Sequence, residues 1–111
     1  MAKLPCADDA EVSIDKLRDF CLSPTHEEGQ YKARVFASRL GLNAQDRLAL
    51  RGWLLRAVQG EEATLFCGDQ YGWRYTVDFT LTWQGRRAVV RSLWIHERGA
   101  VTSRLLSCFV L

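Results

Sequence analysis

Residues 73–83 read Trp-Arg-Tyr-Thr-Val-Asp-Phe-Thr-Leu-Thr-Trp, and every second position is aromatic or aliphatic. Arginine, threonine and aspartate occupy the positions between them. This alternation is typical of a β-strand that buries one face and exposes the other. Gln84 and Gly85 follow directly and have the composition of a two-residue hairpin turn, so residues 88–96 are predicted to form the partner strand.

The turn also predicts the register of the hairpin. If Gln84 and Gly85 alone form the loop, Trp83 lies opposite Arg86. Five further pairs then follow: Trp73–His96, Arg74–Ile95, Tyr75–Trp94, Asp78–Arg91 and Phe79–Val90. The aromatic face is expected to pack against helices, whereas the other face is polar in the middle of the sheet. That polar face is either simply solvated or the functional site; its members are Arg74, Thr76, Asp78 and Arg91.

The remaining segments extend this sheet and cover it. Residues 64–67 and 103–111 read as further strands, whereas residues 13–59 carry apolar side chains at helical spacing. Three helices are predicted there, from Ser13 to Pro24, from Gln30 to Leu40 and from Asn43 to Gly60. The sequence therefore predicts an α+β fold in which about three N-terminal helices pack on one face of a C-terminal four-stranded antiparallel sheet.

Length and composition indicate one globular domain. The 111 residues are 48% hydrophobic and 25% charged, which suits a single core. The domain is expected to span residues 1–111, with a polar lead-in at 1–12, a helical half at 13–59 and the sheet at 62–111. No apolar run suits a membrane span or a signal peptide, and the four cysteines lack metal-ligand spacing. These features predict a soluble cytoplasmic domain without a metal or cofactor.

The charge is distributed unevenly along the chain. The first 30 residues carry seven acidic and three basic side chains, whereas the remainder carries six acidic and twelve basic ones, eleven of them arginine. Arginine suits phosphate because its planar guanidinium donates two parallel hydrogen bonds. Two interpretations stay open: an anion-binding face, or a solvated surface that reflects a codon preference for arginine.

The sequence contains no motif that fixes a reaction by itself. A Gly-rich phosphate loop, G-x-S-x-G and H-E-x-x-H are all missing, which disfavours nucleoside triphosphate hydrolysis, α/β-hydrolase chemistry and zinc proteolysis. Of the two histidines, His26 lies in a loop between helices, where functional groups are common, and His96 closes a strand. Lys32 and Arg34 begin the next helix and form either a phosphate pocket or a solvated helix face.

Three further residues are candidates for a site on the sheet. Arg91 opposite Asp78 is most simply a cross-strand ion pair. Arg104 and Ser107 lie on the last strand and are expected on opposite sides of it, unless the strand twists or bulges.

In the loop between the first and second helices, Thr25 and Glu28 have the spacing of a capping box for the second helix.

Three segments together resemble an uncharacterised family of small bacterial domains. The family patterns read K-L-x-x-Y-L-L-x-P-x-H-P-x-G-x-x-K-A-x-F-F, V-R-T-V-W-I and R-L-V-T-A-Y. The matching segments here begin at Lys16, Val90 and Arg104, and the resemblance covers about residues 14–109. This family looks like a member of the toxin ribonucleases related to barnase, colicin D and RelE. In that group helices precede a four-stranded antiparallel sheet, and RNA is cut without a metal.

Carried over by position, the resemblance implies five site residues: His26, Lys32, Arg91, Arg104 and Ser107. His26 would take or give a proton, Lys32 and Arg91 would hold the phosphate, and Ser107 would donate a hydrogen bond. The residues assigned to RNA binding are Arg34, Arg74 and Arg104. Three positions depart from the family pattern: Glu27, Val35 and Phe109. The last lacks the hydroxyl of the usual tyrosine, so activity would be impaired if that hydroxyl were the catalytic acid.

Two hypotheses follow. The first is a metal-independent endoribonuclease-like domain, of the kind that forms the toxin of a small two-gene module, with RNA and a cognate antitoxin or immunity protein as partners. The second is a non-catalytic protein-interaction, immunity or antitoxin domain of the same fold. A nuclease should bring His26, Lys32 and Arg91 to one concave spot. A binding module should leave them dispersed, with the Asp78–Arg91 pair closed and an apolar patch exposed elsewhere.

Overall fold

The computed structural model describes residues 3–111. Its helices are α1 (Ile14–Lys16, continued by a π-helical turn over Leu17–Cys21), α2 (Gln30–Leu40) and α3 (Arg47–Gly60). Its strands are β1 (Ala63–Asp69), β2 (Gly72–Trp83), β3 (Arg86–Glu97) and β4 (Arg104–Val110). The strands form one antiparallel sheet in the order β1-β2-β3-β4. The predicted α+β fold, with three helices before a four-stranded antiparallel sheet, is confirmed.

The central hairpin has the predicted register. Gln84 and Gly85 both have positive φ angles, 48° and 80°, as a tight two-residue turn between strands requires. Trp83 pairs with Arg86, and all five further predicted pairs are present: Trp73–His96, Arg74–Ile95, Tyr75–Trp94, Asp78–Arg91 and Phe79–Val90. Two local signals, the alternation of apolar and polar residues and the two-residue turn, are sufficient to predict this register.

The helices and the apolar face of the sheet form one core. Trp94 is fully buried, and its indole Nε1 donates a hydrogen bond to Ser92 Oγ over 2.8 Å. Ser92 in turn donates to the carbonyl of Val77 over 2.7 Å, so the polar atoms beside the largest buried ring are satisfied. The other large buried side chains include Phe36, Leu40, Leu50, Leu54 and Leu81.

Residues 3–12, predicted as a polar lead-in, are part of the fold. Leu4 and Val12 are buried in the core. Glu11 forms a parallel bridge with Arg104: its N–H donates to the Ser103 carbonyl over 2.8 Å, and its carbonyl accepts from Leu105 over 2.9 Å. Leu4 and Val12 are too far apart in the sequence to form a periodic apolar pattern, so the sequence did not indicate this packing.

Strand β4 contains a bulge that changes which residues share a face. Ser107 pairs with Leu93 and Leu105 pairs with Trp94, so Leu106 is the extra residue. Arg104 pairs with Ile95, which lies on the same face of β3 as Leu93. In this register Arg104 and Ser107 therefore lie on one side of the sheet, which is the exception to opposite sides that a bulge allows.

No helix within residues 3–111 has both the length and the apolar character that crossing a membrane requires.

Candidate functional site

Lys32 is the centre of the candidate site. It lies on the first turn of α2 and is half-buried. Its Nζ donates a hydrogen bond to Ser107 Oγ over 3.0 Å. The same ammonium lies 5.3 Å from the ring centroids of both Phe20 and Phe109. An α2 cation is thus held between an aromatic ring of α1 and one of β4, with a β4 hydroxyl as its hydrogen-bond partner.

The charge of Lys32 is not neutralised by a carboxylate. The ion pairs within residues 3–111 join Arg18 to Asp15 and Asp19, Arg74 to Asp69, Arg91 to Asp78, and Arg104 to Glu97. None of them includes Lys32. Because partly buried charges are normally paired, an unpaired ammonium beside a hydroxyl is well suited to receive an anion.

The wide last turn of α1 positions Phe20. Leu22 N–H donates to the carbonyl of Leu17 over 2.9 Å, the spacing of a π-helical turn, and such turns often occur at functional sites. Gly29 then lies against this turn, because a Cβ at that position would overlap the backbone carbonyl of Phe20. The absence of a side chain at Gly29 allows the start of α2 to approach α1 closely enough for Lys32 to contact Phe20.

The bulge of β4 places Ser107 beside Lys32. The extra residue, Leu106, leaves a carbonyl that accepts a hydrogen bond from Lys16 Nζ over 3.2 Å. This bond satisfies the carbonyl of the bulged residue, which would otherwise lack a strand partner. Two lysines of the helical half therefore contact β4, Lys16 at the bulge and Lys32 at the next residue.

His26 adjoins the site but uses one ring nitrogen elsewhere. Its Nδ1 accepts hydrogen bonds from the backbone N–H groups of Glu28 and Gly29, at 3.0 and 2.9 Å. In the neutral ring the proton must then be on Nε2. The ring contacts Phe20 edge-on, with centroids 4.7 Å apart. His26 thus caps the turn of residues 27–29 that precedes α2, and its ring contacts Phe20, which also contacts Lys32.

The predicted capping box of Thr25 and Glu28 is not formed. The Thr25 hydroxyl lies 3.3 Å from Ser23 Oγ instead, and Ser23 Oγ also accepts from the backbone N–H of His26. The nitrogen of His26 provides the acceptor that the serine or threonine of a capping box would provide.

A buried pair of thiols lies directly behind Ser107. Cys21 and Cys108 are both fully buried free cysteines, and each thiol shifts the pKa of the other. The hydrogen bond from Cys108 lowers the pKa of Cys21 to about 7, and Ser107 and the charge of Lys32 act in the same direction. The pKa of Cys108 is raised, because it donates that hydrogen bond and because it is buried.

Three arginines of the polar sheet face, Arg74, Arg91 and Arg104, are paired with carboxylates. Arg91 donates two hydrogen bonds to Asp78, at 2.9 and 2.8 Å, and this contact raises the pKa of Arg91. Arg74 lies 2.7 Å from Asp69. Arg104 and Glu97 form a third pair at 2.9 Å. The polar face therefore presents neutralised ion pairs.

Arg34 has a different environment. Its guanidinium lies 5.6 Å from the ring centroid of Tyr31, one turn earlier on α2. Both side chains are exposed. Arg34 does not belong to any of the ion pairs described above, so the first two turns of α2 carry two cations without carboxylates.

The structure brings some of the predicted site residues together and separates others. Lys32 and Ser107 are in direct contact, and His26 is one ring away. Arg91 pairs across the sheet with Phe109, whose ring contacts Lys32, but its guanidinium is held by Asp78. The described residues contain no group of three His, Cys, Asp or Glu side chains placed to hold a metal ion.

An open cavity of about 250 Å³ lies next to Lys32. It is lined by Tyr31, Lys32, Val35, Phe109 and Val110, so its walls are largely apolar and contain no carboxylate. Phe109 is a wall of this cavity. The sequence had marked Phe109 only as a position that lacks a hydroxyl.

Known proteins share features with this chain at two levels. Residues 3–111 match the model of a family described as "Domain of unknown function (DUF6883)". No curated protein matches the chain. Among solved structures, the chain is similar to one from "Contact-dependent growth inhibition toxin - immunity protein complex from Klebsiella pneumoniae 342". The TM-score is 0.67 at 14% identity, over 90% of this chain and 98% of that one, which indicates a shared fold.

Proposed function

The chain belongs to the DUF6883 family, and we propose that it is a metal-independent ribonuclease-type toxin domain in which Lys32 and Ser107 bind the scissile phosphate. The observation that carries this proposal is the unneutralised ammonium of Lys32 beside the Ser107 hydroxyl, next to an open cavity. The shared fold with a chain of a toxin–immunity complex supports a toxin or immunity role.

The chemistry of metal-free RNA cleavage explains why these groups suit the reaction. As the 2′-oxygen attacks phosphorus, it loses its proton to water and the bond from phosphorus to the 5′-oxygen breaks. Negative charge on the phosphate oxygens grows during this step, and a fixed cation stabilises that charge. The ammonium of Lys32 is held by Phe20, Phe109 and Ser107 before any ligand binds, so little reorganisation is needed. His26 would donate a hydrogen bond from Nε2 toward the leaving oxygen, since its Nδ1 is engaged with the backbone.

The polar sheet face has a smaller part in this proposal. Arg91, Arg74 and Arg104 would first have to leave their carboxylates before they could hold a phosphate. We therefore assign the phosphate to Lys32 and assign to the three arginines a general role in the field around the RNA.

The test compares Lys32→Ala with Arg39→Ala. Arg39 is an exposed residue of the same helix, so both variants remove one positive charge from α2. Each purified protein is incubated with total bacterial RNA in the presence of a metal chelator, and growth is scored after induced expression. We expect the wild type and Arg39→Ala to fragment RNA and arrest growth. Lys32→Ala should be about 10²-fold slower or worse, as for loss of a charge-stabilising donor.

A second candidate function is supported by one specific observation. The edge strand β1 exposes Leu65 and Phe66, at 54% and 53%, and Tyr71 beyond it is 64% exposed. Together with the closed Asp78–Arg91 pair, this is the arrangement expected of a partner-binding domain, such as an immunity protein. If the wild type leaves RNA intact and growth unaffected, the nuclease proposal is wrong and this candidate takes its place.

A further inference from the structure

The cavity beside Lys32 has a combination of walls that suits a flat aromatic ligand with an attached anion. Tyr31 is 63% exposed and Val35 is 37% exposed, although both line a cavity. Phe109 and Val110 form the opposite side, and the Lys32 side chain lies between them. Apolar and aromatic walls with one cation and no carboxylate are complementary to a base joined to a phosphate.

The Tyr31 ring contacts the side chain of Arg34, one turn along the same helix. The guanidinium of Arg34 lies 5.6 Å from the Tyr31 centroid, and Arg34 is not part of the cavity wall. The ring thus has a cation against it and still borders the open cavity. An aromatic ring that borders an open cavity offers a surface on which a base can stack.

We infer that this cavity is a subsite for one unpaired nucleobase, which stacks on Tyr31 while its phosphate contacts Lys32. The inference rests on the proposed function and adds the substrate class, single-stranded RNA. In a duplex both faces of each base are covered by neighbouring base pairs, so a base must be unpaired to enter a cavity beside an aromatic ring. Arg34 would contact the phosphate on the next nucleotide.

Binding can be measured separately from cleavage with a 2′-O-methyl RNA oligonucleotide of about six nucleotides, which has no 2′-hydroxyl to attack. Its affinity is compared with that of a blunt duplex of the same sequence, for the wild type, Tyr31→Ala and Tyr31→Phe. We expect the single strand to bind at least tenfold more tightly than the duplex. Tyr31→Ala should lose about tenfold in affinity, whereas Tyr31→Phe, which keeps the ring, should bind as the wild type does.

Salt dependence then separates stacking from charge. Tyr31→Ala should leave the slope of log K against log salt unchanged, whereas Lys32→Gln should reduce it by about 0.7, the value for one phosphate contact on a single strand. Equal affinity of Tyr31→Ala and wild type, or equal binding of duplex and single strand, would overturn the inference. Circular dichroism should confirm that Tyr31→Ala and Tyr31→Phe fold, because Tyr31 is exposed.

The outcomes for the subsite and for the nuclease are distinguishable. If the oligonucleotide binds with the expected dependence on Tyr31 but natural RNA stays intact, the subsite stands and the nuclease proposal fails. If Tyr31→Ala cuts RNA at the wild-type rate and binds the oligonucleotide equally well, the nuclease proposal stands and the subsite fails.

Discussion

At the scale of single residues, Lys32 combines two properties that are rarely found together. It is partly removed from water, yet no carboxylate neutralises it within the described part of the chain. Two aromatic rings and one hydroxyl provide its only close polar or π contacts described here. The field of this ammonium also reaches Cys21, a second buried titratable group.

The thiol of Cys21 provides a direct measure of that field. Because its pKa is lowered to about 7, a Cys6→Ser, Cys67→Ser double variant, which removes the exposed thiols, should show thiolate absorbance near 240 nm rising around pH 7. Replacing Lys32 with Met should move this titration to higher pH, since it removes a positive charge that favours the thiolate. Absence of any thiolate below pH 9 in the double variant would contradict this prediction, and Cys21→Ser identifies the titrating group.

The same shift has a consequence for stability. The folded pKa of Cys21 lies below its ordinary value of 9.0, so the thiolate is favoured in the native state. Its contribution is fully present above pH 9.0 and is lost as the pH falls through about 7. Denaturant unfolding of the double variant should therefore give greater stability at pH 9 than at pH 7, and Cys21→Ser in that background should remove the difference.

At the scale of secondary-structure elements, the site depends on how closely α2 approaches the π-helical turn of α1. Gly29 makes this approach possible, because any Cβ there would overlap the backbone of Phe20. A flexible side chain could move away from such a clash, but a backbone carbonyl inside a helical turn cannot move without shifting the helix. A substitution at Gly29 therefore tests whether α2 must pack closely against the π-helical turn of α1.

We expect Gly29→Ala to destabilise the protein by about 1–3 kcal/mol, the usual cost of overpacking, and to weaken RNA cleavage. Gly52→Ala provides the matched control. Gly52 lies inside α3 with no atom near its added Cβ, so alanine there should stabilise the protein by about 0.5–1 kcal/mol. Urea unfolding measures both changes, and a stable Gly29→Ala protein would show that the close approach is not needed.

The turn between β1 and β2 depends on Asp69. Its carboxylate accepts hydrogen bonds from the N–H groups of Tyr71 and Gly72 and pairs with Arg74, and the bond from Arg74 is the main cause of its lowered pKa. The stabilisation from this shift is present above Asp69's ordinary pKa of 3.8 and is lost as the pH falls through the lower folded value. The stability of Asp69→Asn should therefore fall less than that of the wild type between pH 4 and pH 2. Thermal unfolding of both proteins at the two pH values measures this difference.

Elements differ in how far their sequences predict them. The register of the β2–β3 hairpin was predicted correctly, because alternation and a two-residue turn are local signals, although both strands begin or end one or two residues beyond the predicted bounds. The π-helical turn of α1 and the bulge at Leu106 were not predicted. Each depends on a partner distant in sequence: the start of α2 packs against the first, and Lys16 bonds to the second. The role of His26 in the turn before α2 was not predicted, because a ring nitrogen accepts the backbone hydrogen bonds there.

At the scale of the whole molecule, charge is sorted between two surfaces. On the polar sheet face, Arg74, Arg91 and Arg104 are paired with Asp69, Asp78 and Glu97, while the start of α2 carries Lys32 and Arg34 without carboxylates. The sequence indicated an arginine-rich second half but could not show which arginines are paired. Of the proposed site, the Lys32–Ser107 contact agrees with the positions that the family resemblance implied.

This division predicts different effects for two cations. Arg91→Ala should change RNA cleavage by no more than about fivefold, because its guanidinium is held by Asp78 and the exposed ion pair contributes little. Lys32→Ala should reduce cleavage far more strongly. Asp78→Asn, which frees Arg91, should tighten RNA binding at low salt and lose that advantage at high salt. A loss from Arg91→Ala as large as that from Lys32→Ala would instead place the phosphate on the sheet face.

The order in which the site's parts are synthesised has a consequence for the cell that makes this protein. Lys32 lies early in the chain, but Ser107 and Phe109 belong to β4, and Glu11 bonds to Ser103 and Leu105 at the start of that strand. A nascent chain on the ribosome thus carries the cation without its hydroxyl or second ring until β4 has emerged from the exit tunnel. If the domain cuts RNA, a nascent chain whose β4 has not yet docked lacks part of the phosphate site, and activity begins only once this strand docks.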